Sequence, residues 1–321
     1  VRTPILFLLS GALALDAVPA ARAADLVRGV RGKISAGDLA SGIAAVEDYK
    51  RTTGVDEEYL NAVGWLARGA ELLRRPEIAD LFVAELRREI PAETEALLIP
   101  YGAAIEVQGR LLAAREGRGT ALGYLAGELA RAKDTSLRSR IVKNINLLSL
   151  EGQPAPAIGT SDALGGPAPS LKKLKGKPVV VFLWAHWCGD CKAQVESLAR
   201  VWRTYRDRGL ALVAPTRYYG TVGEKSATPA EEKVQMAKVW KEGYAGLEGA
   251  SVPIDTETMV RYGASSTPTF AMIDRRGIVR LYTPTRLSEA ELSRRIEALL
   301  AETPETHAAT RRAGRAGEGT R

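Results

Sequence analysis

The chain has 321 residues, a length that suits about two domains. Apolar residues make up 45% and charged residues 26%, the ordinary globular range, which excludes a wholly disordered chain, a collagen and a multi-span membrane protein. Two cysteines exclude a disulfide-rich scaffold or a multi-cysteine cluster, and a net charge of +7 spread along the chain gives no reason to expect a nucleic-acid partner.

Residues 1–23 read as an address and not as part of the fold. Arg2 supplies a positive start, and Ile5 to Leu15 is an apolar run too short for the ~20 residues of a spanning helix. Pro19 breaks it, and Ala21-Arg22-Ala23 offers a small-x-small cleavage pattern. A cleaved secretory signal ending near Ala23 is expected, with no stable membrane anchor after cleavage and an extracytoplasmic location (periplasm or secreted). Export in turn predicts oxidisable thiols.

Residues 24–150 read as helices only. Leu39, Ile43, Val46 and Tyr49 recur at helical spacing, as do Leu60, Val63, Leu66 and Ala70 after a cap at Asp56. Pro76 can open a third helix carrying Ile78, Leu81, Phe82 and Leu86. Pro100 and Gly102 are expected to break the next stretch. Leu122, Leu125 and Leu129 form one further stripe, and Leu137, Ile141, Ile145 and Leu148 the last. Each stripe is amphipathic and needs a neighbour, so an all-α bundle or degenerate helical repeat is expected. It would bind a partner, form a homodimer or shield a site.

Glu151 to Pro169 is rich in Gly, Pro and Ala and reads as a linker or irregular lead-in. Strands and helices alternate after it. Pro178 to Ala185 (PVVVFLWA) is a strand buried on both faces. A helix follows from Asp190 to about Arg208, then a second buried strand over Leu210 to Ala214. Residues 217–228 read as a polar loop and Ala230 to Tyr244 as a helix. Thr269 to Ile273 and Ile278 to Tyr282 flank Asp274-Arg275-Arg276-Gly277 as an antiparallel hairpin. Leu287 to Ala301 is the closing helix. The alternation predicts an α/β domain over 151–303. Residues 304–321, polar and small with Arg311, Arg312, Arg315 and Arg321, read as a disordered basic tail.

Both cysteines sit together, in Trp187-Cys188-Gly189-Asp190-Cys191-Lys192, where a buried strand feeds a helix. Cysteines three apart at a helix start lie one turn apart, so their sulfurs can reach bonding distance. The first sulfur faces the free N–H groups and the positive dipole end, which stabilise a thiolate, the attacking species in disulfide exchange. A staple closing so short a loop constrains the unfolded chain little. A closed zinc site needs four ligands, and only His186 lies near, His307 being in the tail. Neither metal nor cofactor is expected.

This stretch resembles the thioredoxin superfamily, in particular its exported TlpA/ResA-like branch. The resemblance rests on Lys175-Gly176-Lys177-Pro178, the strand, the Cys188–Cys191 motif, and downstream Tyr262-Gly263-Ala264-Ser265-Ser266-Thr267-Pro268-Thr269-Phe270 with Ile273-Asp274. It covers about residues 151–303. It implies a central mixed sheet flanked by helices, a cis Pro268 packed against the cysteine pair, and Thr267 backbone groups that pair with a substrate peptide. It also implies Cys188 as nucleophile and Cys191 as resolving thiol in a redox-active disulfide. Trp187, Gly189 and Asp190 would shape the surface around them. The partners implied are protein thiols and disulfides and an unidentified redox partner. The extra length around 217–255 looks like the added helix–strand unit of that branch.

Three positions depart from the pattern. Asp190 stands where thioredoxin has proline, and its charge opposes a thiolate on Cys188, which favours a reducing or intermediate couple. Gln194 holds the place of a glutamate that accepts the proton of the buried thiol, and it cannot titrate. Glu196 occupies the place of a helix-kinking proline and is expected at the surface. The reading is an exported thiol–disulfide oxidoreductase. A thioredoxin-fold peroxidase, or a helical interaction scaffold with an accessory redox domain, is the alternative.

Overall fold

The computed structural model describes residues 20–302, with side chains from residue 26. The expected basic tail lies outside the described residues. So does the expected leader, except that the backbone of residues 20–23 opens the first helix.

The N-terminal stretch is helical throughout, as its periodicity implies. The helices are α1 (Ala20–Ser35), α2 (Leu39–Thr52), α3 (Glu57–Leu72), α4 (Pro76–Glu89), α5 (Leu98–Arg115), α6 (Arg118–Arg131) and α7 (Thr135–Ser149). Asp56 caps α3 by accepting the Tyr59 N–H, and Pro76 occupies the first turn of α4. Two details differ from expectation. Pro100 and Gly102 do not break the chain: Pro100 is the third residue of α5, where its missing N–H would have no intrahelical partner anyway. In α4 the buried face is Ala79, Val83 and Leu86, and Leu81 is exposed.

By packing, the chain divides into two compact units. One holds the described residues up to 92 together with 99–104, and the other holds 93–98 and the described residues from 105 onward. In the first, α3 packs against α1, α2 and α4 around Leu60, Val63, Leu66 and Leu86.

In the second unit a four-stranded mixed sheet carries the core. Its strands are β2 (Val179–Leu183), β3 (Ala211–Val213), β7 (Thr269–Ile273) and β8 (Val279–Thr283), in the order β3-β2-β7-β8. β2 runs parallel to β3 and antiparallel to β7, pairing Val179 with Ile273 and Leu183 with Thr269. Two short ladders flank it: β1 (Ala163–Leu164) with β6 (Val252–Pro253), and β4 (Thr221–Val222) with β5 (Lys225–Ser226). The helices are α8 (Gly189–Tyr205), α9 (Pro229–Gly243), α10 (Thr256–Arg261) and α11 (Glu289–Ala301).

β2 is buried on both faces, and the alternation sorts its side chains. Val180 and Phe182 enter a cluster with Leu198 of α8 and Ile296 of α11, while Val179, Val181 and Leu183 enter a second cluster with Met259 and Tyr262. Each such burial contributes about 1.5–3 kcal/mol. α7 packs on α10 so closely that a Cβ on Gly263, whose φ is +60°, would meet the Lys143 backbone nitrogen at 2.3 Å. The segment after α7 is a lead-in bound to the sheet edge and not a free linker: Gly152 N donates to Val279 O, and Ala155 N to Gly277 O. The polar stretch 217–228 contains the β4–β5 hairpin, which the absence of an apolar alternation had hidden.

Candidate functional site

β2 aims the chain at the site. Beyond Leu183 the backbone turns: Trp184 Nε1 donates to the Ala214 carbonyl at 3.0 Å, and Cys188 N to Ala185 O at 3.0 Å. Cys188 is the N-cap of α8, and its Sγ accepts the Cys191 N–H at 3.0 Å. A sulfur at this point receives a main-chain donor and the positive end of the helix dipole, the two interactions that favour a thiolate.

Cys188 and Cys191 form a disulfide, with Cα atoms 5.2 Å apart. The pair is asymmetric. Cys188 retains 4% exposure and Cys191 none, so an incoming group can reach only the first sulfur. The Thr267–Pro268 peptide bond is cis, and the Thr267 carbonyl oxygen lies 3.4 Å from Cys188 Sγ. The helix start and the loop before β7 thus meet at one sulfur. Trp187, 59% exposed, stands next to it, and Gly189 and Asp190 are exposed on the rim.

The charge on Asp190 is not alone. Arg286 Nη1 lies 3.8 Å from its carboxylate, and both are solvent-exposed. That cation offsets part of the repulsion that Asp190 would exert on a Cys188 thiolate. Gln194 is buried and fully used. Its Oε1 accepts the Leu287 N–H (2.8 Å), and its Nε2 donates to the Leu287 carbonyl (2.9 Å) and to Ser197 Oγ (2.7 Å). An amide both accepts from and donates to the Leu287 backbone here, which an ionised carboxylate cannot do. Glu196 is on the surface, paired with Arg200.

His186 is buried, not solvent-facing. Its Nε2 lies 3.2 Å from the Thr221 carbonyl and its Nδ1 3.5 Å from Glu232 Oε1. Burial lowers its pKa, against the opposing pull of Glu232. Sequence reasoning missed Glu232 and Arg286. The one available signal was the capping pattern Thr228-x-x-Glu231, which marks the start of α9 but not the neighbouring Glu232. Among the described residues no cluster of His, Cys, Asp or Glu is arranged to hold a metal ion, and no helix is long and apolar enough to cross a membrane.

The Redoxin family model matches residues 150–293. The chain is 26% identical over 150 residues to the thioredoxin-like protein YneN of Bacillus subtilis, covering 46% of this chain and 79% of that one. It is 26% identical over 140 residues to the thiol-disulfide oxidoreductase ResA of Bacillus subtilis, covering 42% and 68%. A thiol:disulfide interchange protein of the thioredoxin family from Chlorobium tepidum is similar at 23% identity, over 47% of this chain and 98% of that one, with a TM-score of 0.38.

Proposed function

We propose, from the premise that the C-terminal half of this chain is a TlpA/ResA-like member of the thioredoxin superfamily, that the protein is a thiol–disulfide oxidoreductase acting on polypeptide substrates. The observation that carries the reading is the unequal disulfide at the N-terminus of α8, between Cys188, which keeps 4% exposure and accepts a main-chain N–H, and Cys191, which keeps none.

In the reduced protein Cys188 is the thiolate. It attacks one sulfur of a substrate disulfide, forming a mixed disulfide and expelling the other sulfur as a thiolate. The Thr267 carbonyl, 3.4 Å from the same sulfur, supports a role for that backbone in aligning the substrate strand. Cys191 then attacks Cys188 Sγ, and the second substrate sulfur leaves. Two electrons have passed to the substrate, and the pair ends as the Cys188–Cys191 disulfide. Gln194 cannot take the proton of Cys191, and over the whole exchange that proton ends on a substrate thiol. A dithiol or thiol donor must restore the reduced pair.

Asp190, even with Arg286 beside it, keeps a negative group near the nucleophile, which supports a reducing couple and net reduction of substrates. The leader pattern in residues 1–23 supports action outside the cytosol. The test is a pair of variants. Cys188→Ser is expected to abolish dithiol-dependent reduction of a peptide disulfide, and Cys191→Ser to accumulate a mixed disulfide through Cys188. Turnover retained in Cys188→Ser would overturn the assignment.

A further inference from the structure

The insertion between β3 and α9 is fixed more firmly than a surface loop requires. Glu232 of α9 is fully buried, and its two oxygens accept the N–H groups of Tyr219 (2.7 Å) and Gly220 (2.8 Å). His186, two residues before the nucleophile, takes the next peptide: its Nε2 donates to the Thr221 carbonyl, while its Nδ1 faces Glu232. On the same stretch Tyr218 donates to Asp162 at 2.7 Å, and Lys233 pairs with that same carboxylate. A buried carboxylate is costly unless its oxygens are satisfied. Here that cost is met by immobilising residues 219–221.

What the latch presents faces the site. The Tyr219 ring stands edge-on to exposed Trp187, with centroids 5.3 Å apart. The Arg217 guanidinium lies over the Tyr219 ring at 4.7 Å. Arg217 has no ion-pair partner among the described residues, and neither has exposed Lys192 in the first turn of α8. Of the acids next to these groups, Glu232 is sealed under the loop and Asp190 faces Arg286. Among the described residues, the rim beside Cys188 therefore combines rigid aromatic area with two cations outside any ion pair, Arg217 and Lys192, while the one exposed acid next to the nucleophile, Asp190, is shared with Arg286.

We propose that Arg217 and Tyr219, held against Trp187 by the His186–Glu232 latch, form a specificity shelf that selects disulfides in polypeptides carrying acidic residues beside the cysteine. The inference rests on the thiol–disulfide reading above and adds the substrate class. Aromatic rings give contact area at low entropic cost, and a guanidinium already stacked on a ring loses little freedom when it meets a carboxylate.

Two peptides with one internal disulfide, identical except for Asp or Lys at the flanking positions, test it with the full chain and dithiothreitol as donor. The unaltered protein is expected to favour the acidic peptide about fivefold in kcat/KM at low salt, as a single half-exposed charge pair would. The preference is expected to shrink as salt rises. Arg217→Glu is expected to reverse the preference, and Arg217→Lys to keep its sign. A folding defect would slow both peptides and could not invert their order. Equal kcat/KM for the two peptides, or an acidic preference that survives Arg217→Glu, overturns the shelf and leaves the thiol chemistry standing. Failure of the unaltered protein to reduce either peptide overturns both.

Discussion

Two buried carboxylates, Glu232 beside the cysteine end of the sheet and Asp274 at the far turn, solve the same physical problem differently. Asp274 closes the β7–β8 connection. It accepts the N–H groups of Arg276 and Ile278 at 2.8 and 2.9 Å, and Arg280 at 2.7 Å. Burial alone would raise its pKa, but those donors and Arg280 hold it below the usual carboxylate range. Glu232 also accepts two main-chain N–H groups, yet the other group facing it is an imidazole and not a guanidinium, with His186 Nδ1 3.5 Å away and outside any hydrogen bond. Permanent cations make a fixed staple. A titratable partner makes a latch whose strength depends on its protonation, and that latch is the one carrying a loop next to the nucleophile.

The largest expected effect lies at the staple. Asp274→Asn leaves Arg280 and two N–H groups short of a charged acceptor, and is expected to cost about 3 kcal/mol in urea unfolding. Well below the unfolding transition, kcat on a peptide disulfide is expected to stay at the unaltered value, because this turn lies at the opposite end of β2 from Cys188. The reverse pattern is expected at the latch. Glu232→Gln can still accept one of the two loop N–H groups, so the stability loss is smaller, about 1–2 kcal/mol. Its KM for a peptide disulfide is expected to rise while the limiting rate at saturation holds. If Glu232→Gln altered only stability, or Asp274→Asn altered KM, the contrast between the two carboxylates would fail.

The turn that holds the staple was legible in the sequence and the latch was not. Asp274-Arg275-Arg276-Gly277 sits between two apolar runs, so strand periodicity locates the turn. Cys188 and Cys191 were legible as well, because a buried strand feeding a helix start leaves a local pattern, and Pro268 was legible through the family resemblance that the downstream Thr-Pro carries. Glu232 lies among charged residues at the start of an amphipathic helix, where Glu231 looks the same and is a surface capping residue. Nothing local tells them apart. The difference is made by His186 and Tyr219, 46 and 13 positions away, through tertiary contacts. The clamp on Leu287 was equally hidden: Gln194 reads as a missing glutamate until its partner, 93 residues on, is known.

Gln194 supplies a neutral reference between the two carboxylates. Gln194→Glu keeps the acceptor for the Leu287 N–H but turns an oxygen toward the Leu287 carbonyl, for a cost of about 1.5 kcal/mol at neutral pH. Protonation would restore a donor, so the folded state is expected to raise the pKa of the new carboxyl. The stability of the variant is then full below the unfolded value near ~4.3 and falls as pH rises through the folded one. Urea midpoints at pH 4 and pH 7 check this. A variant as stable as the parent at both values would show that the Leu287 clamp is not set by amide chemistry.

The smallest effect separates staple from latch by pH. His186 faces Glu232 from α9, the Thr221 carbonyl and the Tyr219 ring from the inserted loop, and the charge of Lys192 from α8. Burial keeps its folded pKa below the unfolded value near ~6.5. As pH falls through that value the unfolded chain takes up a proton that the folded chain refuses. Stability therefore drops with acidification, by no more than about 1.4 kcal/mol per pH unit, and levels off once the folded imidazole also protonates. The depressed Asp274 acts only lower, where its stabilisation is lost as pH falls below its unfolded value near ~3.9. His186→Asn is expected to remove the upper slope and leave the lower one, with Asp274→Asn doing the opposite. A stability curve with one acid transition, unmoved by His186→Asn, would mean that the imidazole stays neutral throughout and that the latch contributes nothing to the acid response.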